Sequence, residues 1–417
     1  MDPQFPLNKQ KIINDPVYGF INIPFPIVFD LIEHPWFQRL RRIRQLGMTH
    51  MVYPGANHTR FQHALGAMHL MGSAIEIIRS KGHPISDKEA EAVTIAILLH
   101  DIGHGPFSHS LEQSLIQGTG HEEVSRLIMD MLNEEFNGRL ELAIRIFRNS
   151  YHKKFLHQLV SSQLDMDRLD YLKRDSFFTG VTEGVIGSDR IIKMLNVIDD
   201  ELVVDQKGIY SIEKFLIARR LMFWQVYLHK TVIAADQLLI KMLKRARELA
   251  ARGTNLFATP ALSYFLYDLK GKFAPENREE FLERFLQLDD NDIICAAKVW
   301  RDHNDSVLSN LCRGFIERRL FRIELQASPF PDDRIADLRK QTMNCFGVTE
   351  QEAHYLVISE TISNNAYSAL DDRIRILGKE GTTRDVSEAS DMLNIAVLSK
   401  TVRKFFLCYP KSFKDLS

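Results

Sequence analysis

The segment at residues 93–99, Val-Thr-Ile-Ala-Ile-Leu-Leu, constrains the fold more than any other part of the chain, and His100 and Asp101 follow it directly. Such an apolar run, set among segments with apolar residues at helical spacing, predicts a buried helix. An imidazole and a carboxylate side by side at the end of a buried helix need compensation, which a divalent cation provides. The competing interpretation is a packed histidine beside a helix-capping aspartate, which is the commoner origin of a single His-Asp pair.

Further histidines and acids favour the metal interpretation. The tight turn Gly-His-Gly-Pro-Phe-Ser-His adds His104 and His109, His121 and Glu122 begin the next predicted helix, and three aspartates lie within residues 165–170. Packing alone rarely gathers so many imidazoles and carboxylates. Imidazole and carboxylate ligands suit Mn, Fe, Zn, Ni or Co, and Mg less well. We therefore expect one divalent metal ion per site.

Helical periodicity covers most of the first 250 residues. After an extended arm at residues 1–25, apolar residues recur at helical spacing from Pro26 to about Ala251, and a Gly-Thr-Asn sequence from residue 253 ends the pattern. One helix is expected from about residue 212 to 249, preceded by a hairpin around residues 203–212. Later in the chain, segments rich in β-forming residues mix with helices. The prediction is a mainly α protein, with a helical catalytic lobe at 1–253 and a smaller α+β lobe at 254–417.

The charge balance excludes some classes of function. The 417 residues include 53 basic and 54 acidic residues, and this net charge of −1 does not indicate general nucleic-acid binding. The four cysteines form no Cys-x-x-Cys pair, so neither a disulfide framework nor a thiolate zinc site is expected. The N-terminus has no apolar signal region, and the longest apolar run is too short to span a bilayer. We expect a cytoplasmic protein without membrane contact.

Taken in order, these motifs resemble those of the HD-domain phosphohydrolases. His63, His100-Asp101 and Asp167 match the H…HD…D signature of that family. The motif order is similar to that of its deoxynucleoside triphosphate (dNTP) triphosphohydrolase branch, which includes bacterial dGTPase-like enzymes and the mammalian sterile-alpha-motif/HD-domain dNTPase. Convincing matches cover about residues 11–235. The resemblance implies an HD-type helical core that hydrolyses a dNTP to a deoxynucleoside and inorganic triphosphate.

The resemblance also implies roles for individual residues. One divalent metal ion is bound by four ligands, His63, His100, Asp101 and Asp167. The catalytic groups are His104, His109, His121 and Glu122, with His109 a candidate acid for the leaving oxygen. A capping pair at a helix start is the competing interpretation of His121 and Glu122. The triphosphate is held by Arg60, Arg168, Arg219 and Lys230, of which Arg168 stands where the mammalian pattern has lysine. The deoxyribose is bound by Gln45, Leu46, Tyr171, Asp175 and Tyr227, with Leu46 and Tyr227 leaving no room for a 2′-hydroxyl.

Helical spacing agrees with two of these sets. Arg219 and Lys230 are eleven residues apart, which is about three turns of one helix, and Asp167, Tyr171 and Asp175 recur at i, i+4 and i+8. A surface ladder of ion pairs is the competing interpretation of both sets.

An activating nucleotide bound between subunits is a further implication of the resemblance. The matching residues are Lys11, Asn14, Gln38 and Arg41, and Glu33 stands where an aspartate usually reads a guanine base. The expected assembly is a homo-oligomer, either a dimer or a tetramer.

Three other functions stay open at this point. One is a different HD hydrolase, a nucleotide monophosphatase or a phosphodiesterase, although shorter monophosphatases do not need the segment 219–230 and this chain lacks the Gly-Tyr-Pro triplet of one phosphodiesterase subgroup. The second is a nucleotide-binding sensor without turnover, against which the complete set of metal ligands argues. The third is nucleic-acid binding or nuclease action, which the near-neutral charge serves poorly.

Overall fold

The structure of the chain is a computed structural model that describes residues 11–116, 118, 120–269, 277–364, 367–368, 373–391 and 400–411. Helices dominate it, which confirms the predicted mainly helical fold. The helices of the first 253 residues are α1 (Pro26–Glu33), α2 (Pro35–Gln38), α3 (Arg60–Ser80), α4 (Asp87–Leu99), α5 (His109–Glu112), α6 (His121–Glu135), α7 (Glu141–Phe147), α8 (Lys154–Val160), α9 (Met166–Thr179), α10 (Ser188–Met194), α11 (Ile209–Met222) and α12 (Lys230–Ala251). Those that follow are α13 (Pro260–Ser263), α14 (Arg278–Gln287), α15 (Asp290–Trp300), α16 (Ser306–Ile316), α17 (Asp332–Phe346), α18 (Glu350–Leu356) and α19 (Val386–Ala389). Among the helices of the described residues, none combines the length and the apolar character that a membrane crossing requires.

Three small sheets accompany the helices in the described part of the chain. Their strands are β1 (Ile12–Asp15), β2 (Gly19–Asn22), β3 (Leu195–Ile198), β4 (Glu201–Asp205), β5 (Arg322–Gln326), β6 (Ile358–Asn364), β7 (Arg375–Leu377), β8 (Thr383–Asp385) and β9 (Val402–Tyr409). β1 and β2 form a hairpin, β5, β9 and β6 an antiparallel sheet, and the third sheet has the order β3-β4-β7-β8. β4 and β7 run parallel, so a strand from beyond residue 253 pairs with one from before it. The boundary at residue 253 stays a prediction.

The centre of the helical core is formed by α3, α4 and α9, with α3 packed against both of the others. α4 begins at a capping box in which the Ser86 hydroxyl accepts from Glu89 N and the Glu89 carboxylate accepts from Ser86 N. Every residue of the apolar run 93–99 is buried, as predicted. Because a close-packed core resists displacement, the residues that follow α4 leave it from a rigid support.

The single helix predicted at residues 212–249 is wrong. α11 ends at Met222, a wider π-helical turn occupies Phe223–Tyr227, and α12 begins at Lys230 after His229 has capped its N-terminus. Arg219 and Lys230 therefore lie on different helices, and their eleven-residue spacing does not place them on one face. Such π turns are frequent at functional sites.

The hairpin predicted around residues 203–212 is misplaced. It spans Leu195–Asp205 and reverses at Asp199 and Asp200, both of which have positive φ, at 52° and 59°. Positive φ at both central residues is typical of a two-residue hairpin turn, in which aspartate is common. Gln206–Gly208 instead leads into α11.

The predicted N-terminal arm is a hairpin where the structure describes it. Residues 1–10 lie outside the described residues, and β1 and β2 pair from Ile12 to Asn22. The turn is held by Asp15, whose Oδ1 accepts from Val17 N at 2.9 Å and from Tyr18 N at 3.0 Å.

Candidate active site

Two imidazoles face each other where α3 and α4 meet. The His63 ring lies with Nδ1 2.7 Å from Asp170 Oδ2, and the His100 ring with Nδ1 2.6 Å from Ile97 O. Both partners are acceptors, so both Nδ1 atoms carry a proton and both Nε2 atoms can present a lone pair. The two Nε2 atoms are 3.3 Å apart. Opposed lone pairs at this distance call for a cation between them.

Two carboxylates complete the group. Asp167 Oδ1 lies 3.0 Å from His63 Nε2 and 3.5 Å from His100 Nε2. Asp101 lies on the other side, with Oδ1 3.4 Å from His100 Nε2 and Oδ2 3.7 Å from His63 Nε2. Ligand atoms bound at about 2.0–2.2 Å to one ion are about 3 Å apart at right angles. The ligand atoms of His63, His100 and Asp101 all lie within 4.8 Å of one another, and Asp167 adjoins both imidazoles. This set could hold one divalent metal ion, and HD domains bind such ions.

The electrostatics of the group also favour a cation. Burial lowers the pKa of His63, but hydrogen bonds to Asp167 and Asp170 outweigh burial and raise that pKa to about 10. Burial raises the pKa of Asp101, but Arg60 and the neighbouring imidazoles hold it well below its usual range. Ionised carboxylates in a desolvated site attract a positive charge, and metal binding displaces the imidazole protons.

A second group of ligand-type side chains lies beside the first. The ligand atoms of His104, Glu112 and His121 are all within 4.8 Å of one another, and the His104 and His121 rings stack at 3.9 Å. Asp101 Oδ1 joins the two groups, because it lies 3.2 Å from His104 Nε2. Burial and the charge of Arg60 hold the pKa of His104 well below its usual range, so this imidazole is neutral. The side chain of His109 lies outside the described part of the structure.

An arginine-lined cavity of about 370 Å³ opens on the metal-ligand group, and we call it the metal-side cavity. Its walls include His100, Asp101, Asp167, His121, Glu122, Arg126, Arg148, His157 and Arg168. Sequence reasoning missed Arg126 and Arg148, which carry no motif and resemble solvated helix residues in the sequence.

The four predicted phosphate ligands do not all meet there. Arg168 lines the metal-side cavity, and its Nε is buried without a hydrogen-bond partner among the described residues, as is Nε of Arg219. Arg219 does not line this cavity, and its Nη1 donates to Gln163 Oε1 at 2.9 Å. Arg60 does not line it either, but it ion-pairs with Asp101. Lys230 is exposed at the start of α12 and does not line the metal-side cavity.

A second cavity, of about 410 Å³, holds the predicted sugar-binding residues, and we call it the ring-side cavity. Its walls include Gln45, Leu46, Arg60, Phe107, Ser108, Tyr171, Asp175, Phe223, Tyr227, Leu228, Val232 and Asp236. The π turn places Tyr227 so that its ring meets that of Tyr171 edge-on, with centroids 6.2 Å apart. Gln45 Oε1 is buried and has no hydrogen-bond partner among the described residues. A buried acceptor without a partner is costly, so this carbonyl oxygen is suited to a donor on a ligand.

Asp175 is held between two donors in the same cavity. Its Oδ1 lies 2.7 Å from His58 Nε2, and its Oδ2 accepts from the Tyr227 hydroxyl at 2.7 Å. Sequence reasoning missed His58, which is buried and stacks on Phe178. The pair orients the carboxylate toward the cavity that Gln45 also lines.

Asp236 is a further residue of the ring-side cavity that sequence reasoning missed. It lies four residues after Val232 on the same face of α12, and no described residue forms a hydrogen bond or ion pair with it. Burial raises its pKa to about 7. The only signal in the sequence was an aspartate among the apolar residues of a predicted helix.

This raised pKa predicts a pH-dependent effect on stability. An unfolded aspartate titrates near 4, so the folded state holds the Asp236 proton more tightly, and that stabilisation is lost as the pH rises toward about 7. We expect Asp236→Asn to be more stable than the wild type at pH 8 by about 1–2 kcal/mol. Urea unfolding at pH 8 and pH 5 measures this, and the difference should shrink at pH 5. A difference that is equal at both pH values would contradict the assignment.

Comparison with known proteins identifies the family. The HD domain family model matches residues 60–175, which contain all four metal-ligand candidates, and the HD associated region matches residues 186–261. A crystal structure of a phosphohydrolase from Bacteroides thetaiotaomicron is similar with a TM-score of 0.92 and 58% identity, covering 96% of this chain and 100% of that one. The uncharacterized Bacillus subtilis protein YwfO is 32% identical over 425 residues, covering 98% of this chain and 94% of that protein. The chain belongs to the HD-domain family of phosphohydrolases.

Some relatives have a more specific name. The deoxynucleoside triphosphate triphosphohydrolase SAMHD1 homolog of Dictyostelium discoideum is 33% identical over 241 residues, which are 53% of this chain and 46% of that protein. The chain thus spans about half the length of this relative.

Proposed function

We propose that the protein hydrolyses deoxynucleoside triphosphates to deoxynucleosides and inorganic triphosphate. The observation that carries this proposal is the position of the metal-ligand group. Three of its members, His100, Asp101 and Asp167, line the metal-side cavity together with arginines. Asp101 also ion-pairs with Arg60, which lines the ring-side cavity, where the walls are aromatic and the polar groups are suited to a sugar. A nucleotide needs this combination, with its phosphates at a cluster of cations and its nucleoside between apolar walls.

The side chains have separate tasks in this reaction. The metal ion, when bound, polarises a phosphoryl oxygen and lowers the pKa of the attacking water. Arg168 lines the metal-side cavity and neutralises the triphosphate there, and Arg219, whose charge acts on Arg168, adds positive charge near it. Gln45 accepts from the 3′-hydroxyl, and Asp175 is oriented for the same group. His104 is neutral, and His109 remains the candidate acid for the 5′ oxygen.

An end-point assay tests the proposal directly. The protein is loaded with Mn²⁺ or Mg²⁺ and offered all four dNTPs together, and then each matched ribonucleotide separately. Release of deoxynucleoside and inorganic triphosphate, lost in Asp167→Ala, is the expected result. Release of single phosphates from monophosphates would instead assign a nucleotidase. Metal binding without turnover of any nucleotide would overturn the proposal in favour of a sensor.

Leu46 is expected to set the preference for deoxyribose. It lines the ring-side cavity beside Gln45 and Tyr227, so a shorter side chain makes room for a 2′-hydroxyl. We expect Leu46→Ala to reduce the ratio of kcat/KM for dNTP over NTP by about tenfold. Met51→Ala is the control, because Met51 ends the 3₁₀ segment Gly47–Met51 that directly follows Leu46, is partly buried and does not line the cavity. An unchanged ratio of kcat/KM values in Leu46→Ala would show that Leu46 does not form part of the sugar site.

We also propose a regulatory nucleotide site at the N-terminal hairpin. A cavity of about 620 Å³, which we call the hairpin cavity, is lined by Lys11, Asn14, Glu33 and Arg41 among others. Gln38 is not part of its wall, but its Oε1 accepts from Arg41 Nε at 2.7 Å. The Lys11 ammonium lies over the Phe29 ring and the Arg41 guanidinium over the Phe61 ring, so two cations are held at the cavity by aromatic faces.

Gel filtration tests this regulatory site. We expect dGTP to convert the protein to a dimer or a tetramer, since the proposed nucleotide binds between subunits. A monomer that is unchanged by dGTP would contradict the proposal.

A further inference from the structure

A line of buried charged side chains connects the N-terminal hairpin to the metal-ligand group. His63 Nδ1 lies 2.7 Å from Asp170 Oδ2, and Arg174 donates to both oxygens of Asp170, from Nε at 2.9 Å and from Nη2 at 3.0 Å. Arg174 Nη1 then donates to Asp15 Oδ2 at 2.7 Å. The side chains of His63, Asp170 and Arg174 are 0% exposed and that of Asp15 is 4% exposed. We call this series the His63–Asp15 chain.

Asp15, at one end of the His63–Asp15 chain, lies outside the segment that the HD domain model matches. That model begins at residue 60, whereas Asp15 is the last residue of β1 and also lines the hairpin cavity. Asp15 has two roles, because its Oδ1 holds the hairpin turn while its Oδ2 accepts from Arg174. The hairpin therefore meets the catalytic core through a buried ion pair.

The charges of Asp15, Arg174 and Asp170 bear on how His63 binds a metal ion. One guanidinium is shared by two carboxylates, so the series Asp15, Arg174 and Asp170 carries a net negative charge in a desolvated place. A carboxylate that accepts from the Nδ1–H of a metal-binding histidine fixes the ring orientation and strengthens Nε2 as a ligand. Arg174 offsets part of the Asp170 charge that faces His63, and Asp15 is the second carboxylate partner of Arg174.

We propose that Asp15, Arg174 and Asp170 are positioning residues for the metal ligand His63, and that docking of the N-terminal hairpin is part of building the metal site. Asp170 orients the imidazole, Arg174 orients Asp170, and Asp15 holds Arg174 in place. The inference rests on the metal-binding part of the proposed function and on no particular substrate.

Asp15→Asn tests the Asp15 end of the His63–Asp15 chain, because asparagine has nearly the same shape as aspartate. The asparagine oxygen still accepts from the two turn N–H groups, but the negative charge that holds Arg174 is gone. We expect the affinity for Co²⁺, measured by calorimetry against a competing chelator, to fall about 10- to 100-fold. The Co²⁺ absorption spectrum should shift as well, because the His63 ring is less firmly oriented. Asp170→Asn should have the larger effect, since Asp170 contacts His63 directly.

Asp30→Asn is the matched control, because it removes an exposed carboxylate from α1 and changes the net charge by the same amount. Its Co²⁺ affinity should stay within about twofold of the wild type. A folded Asp15→Asn protein with wild-type Co²⁺ affinity and spectrum would overturn the inference. If Asp15→Asn does not fold, Arg174→Lys replaces it, since lysine keeps the charge but not the forked hydrogen bonds, and unchanged Co²⁺ binding there is equally decisive. Neither readout involves a nucleotide, so failure of the dNTP proposal would leave both results interpretable.

Discussion

Asp101→Asn is expected to abolish hydrolysis, with a loss of about 1000-fold or more in kcat/KM. The substitution keeps the shape of the side chain but removes a charge that faces both His63 and His100 and that ion-pairs with Arg60. A metal ion contributes several kcal/mol to stabilising the transition state, and about 1.4 kcal/mol corresponds to a factor of ten in rate. Metal content of the purified variant and its steady-state rate are the measurements.

The matched control lies at the other end of the same helix. Asp87 is in the first turn of α4, its side chain is 93% exposed, and it pairs with Arg79. Asp87→Asn should keep its metal ion and its rate, with a stability loss of about 0.5 kcal/mol from the helix dipole. Full activity in a metal-free Asp101→Asn protein would show that the His/Asp group is not the catalytic centre.

Gly66→Ala is expected to destabilise the protein by about 3–5 kcal/mol. Gly66 lies on α3, where an added methyl group would collide with the Asp170 carboxylate and the Arg174 guanidinium. Both groups are fully buried and hydrogen-bonded to each other, so separating them leaves uncompensated buried charge. Thermal and urea unfolding measure the loss, and Co²⁺ affinity should fall in whatever folded protein remains.

Gly72 supplies the control on the same helix. A methyl group there would meet no other atom within 4 Å, and alanine is the better helix former. Gly72→Ala should therefore stabilise the protein by up to about 1 kcal/mol. Equal effects of the two substitutions would mean that the contacts around Gly66 have no particular importance.

Sequence motifs predicted the structure correctly where the residues involved lie close together in the sequence. The apolar run before His100 predicts a buried helix because burial of such a run is its main source of stability, and the aspartates of α9 recur with the period of that helix. The same reasoning failed at residues 223–229. There, a π turn and a new helix cap interrupt a continuous helical pattern, and hydrophobic periodicity alone does not register one wider turn.

The tertiary structure decided which side chains line the same cavity. Arg126 and Arg148 face the metal ligands across a cavity, although nothing in their local sequence distinguishes them from solvated residues. Lys230 belongs to a matching motif but is exposed and does not line that cavity, because the chain turns before α12 begins.

By itself, the sequence determined the helical class, the family and the four candidate metal ligands, because each depends on residue types at short or motif-length spacing. Only the tertiary structure showed that Asp15 reaches His63 through Arg174 and Asp170, with Asp15 and Arg174 159 residues apart in the chain. Such a connection depends on how the hairpin docks on α9 and α3. Contacts of this kind are made by packing between distant segments, and no local periodicity encodes them.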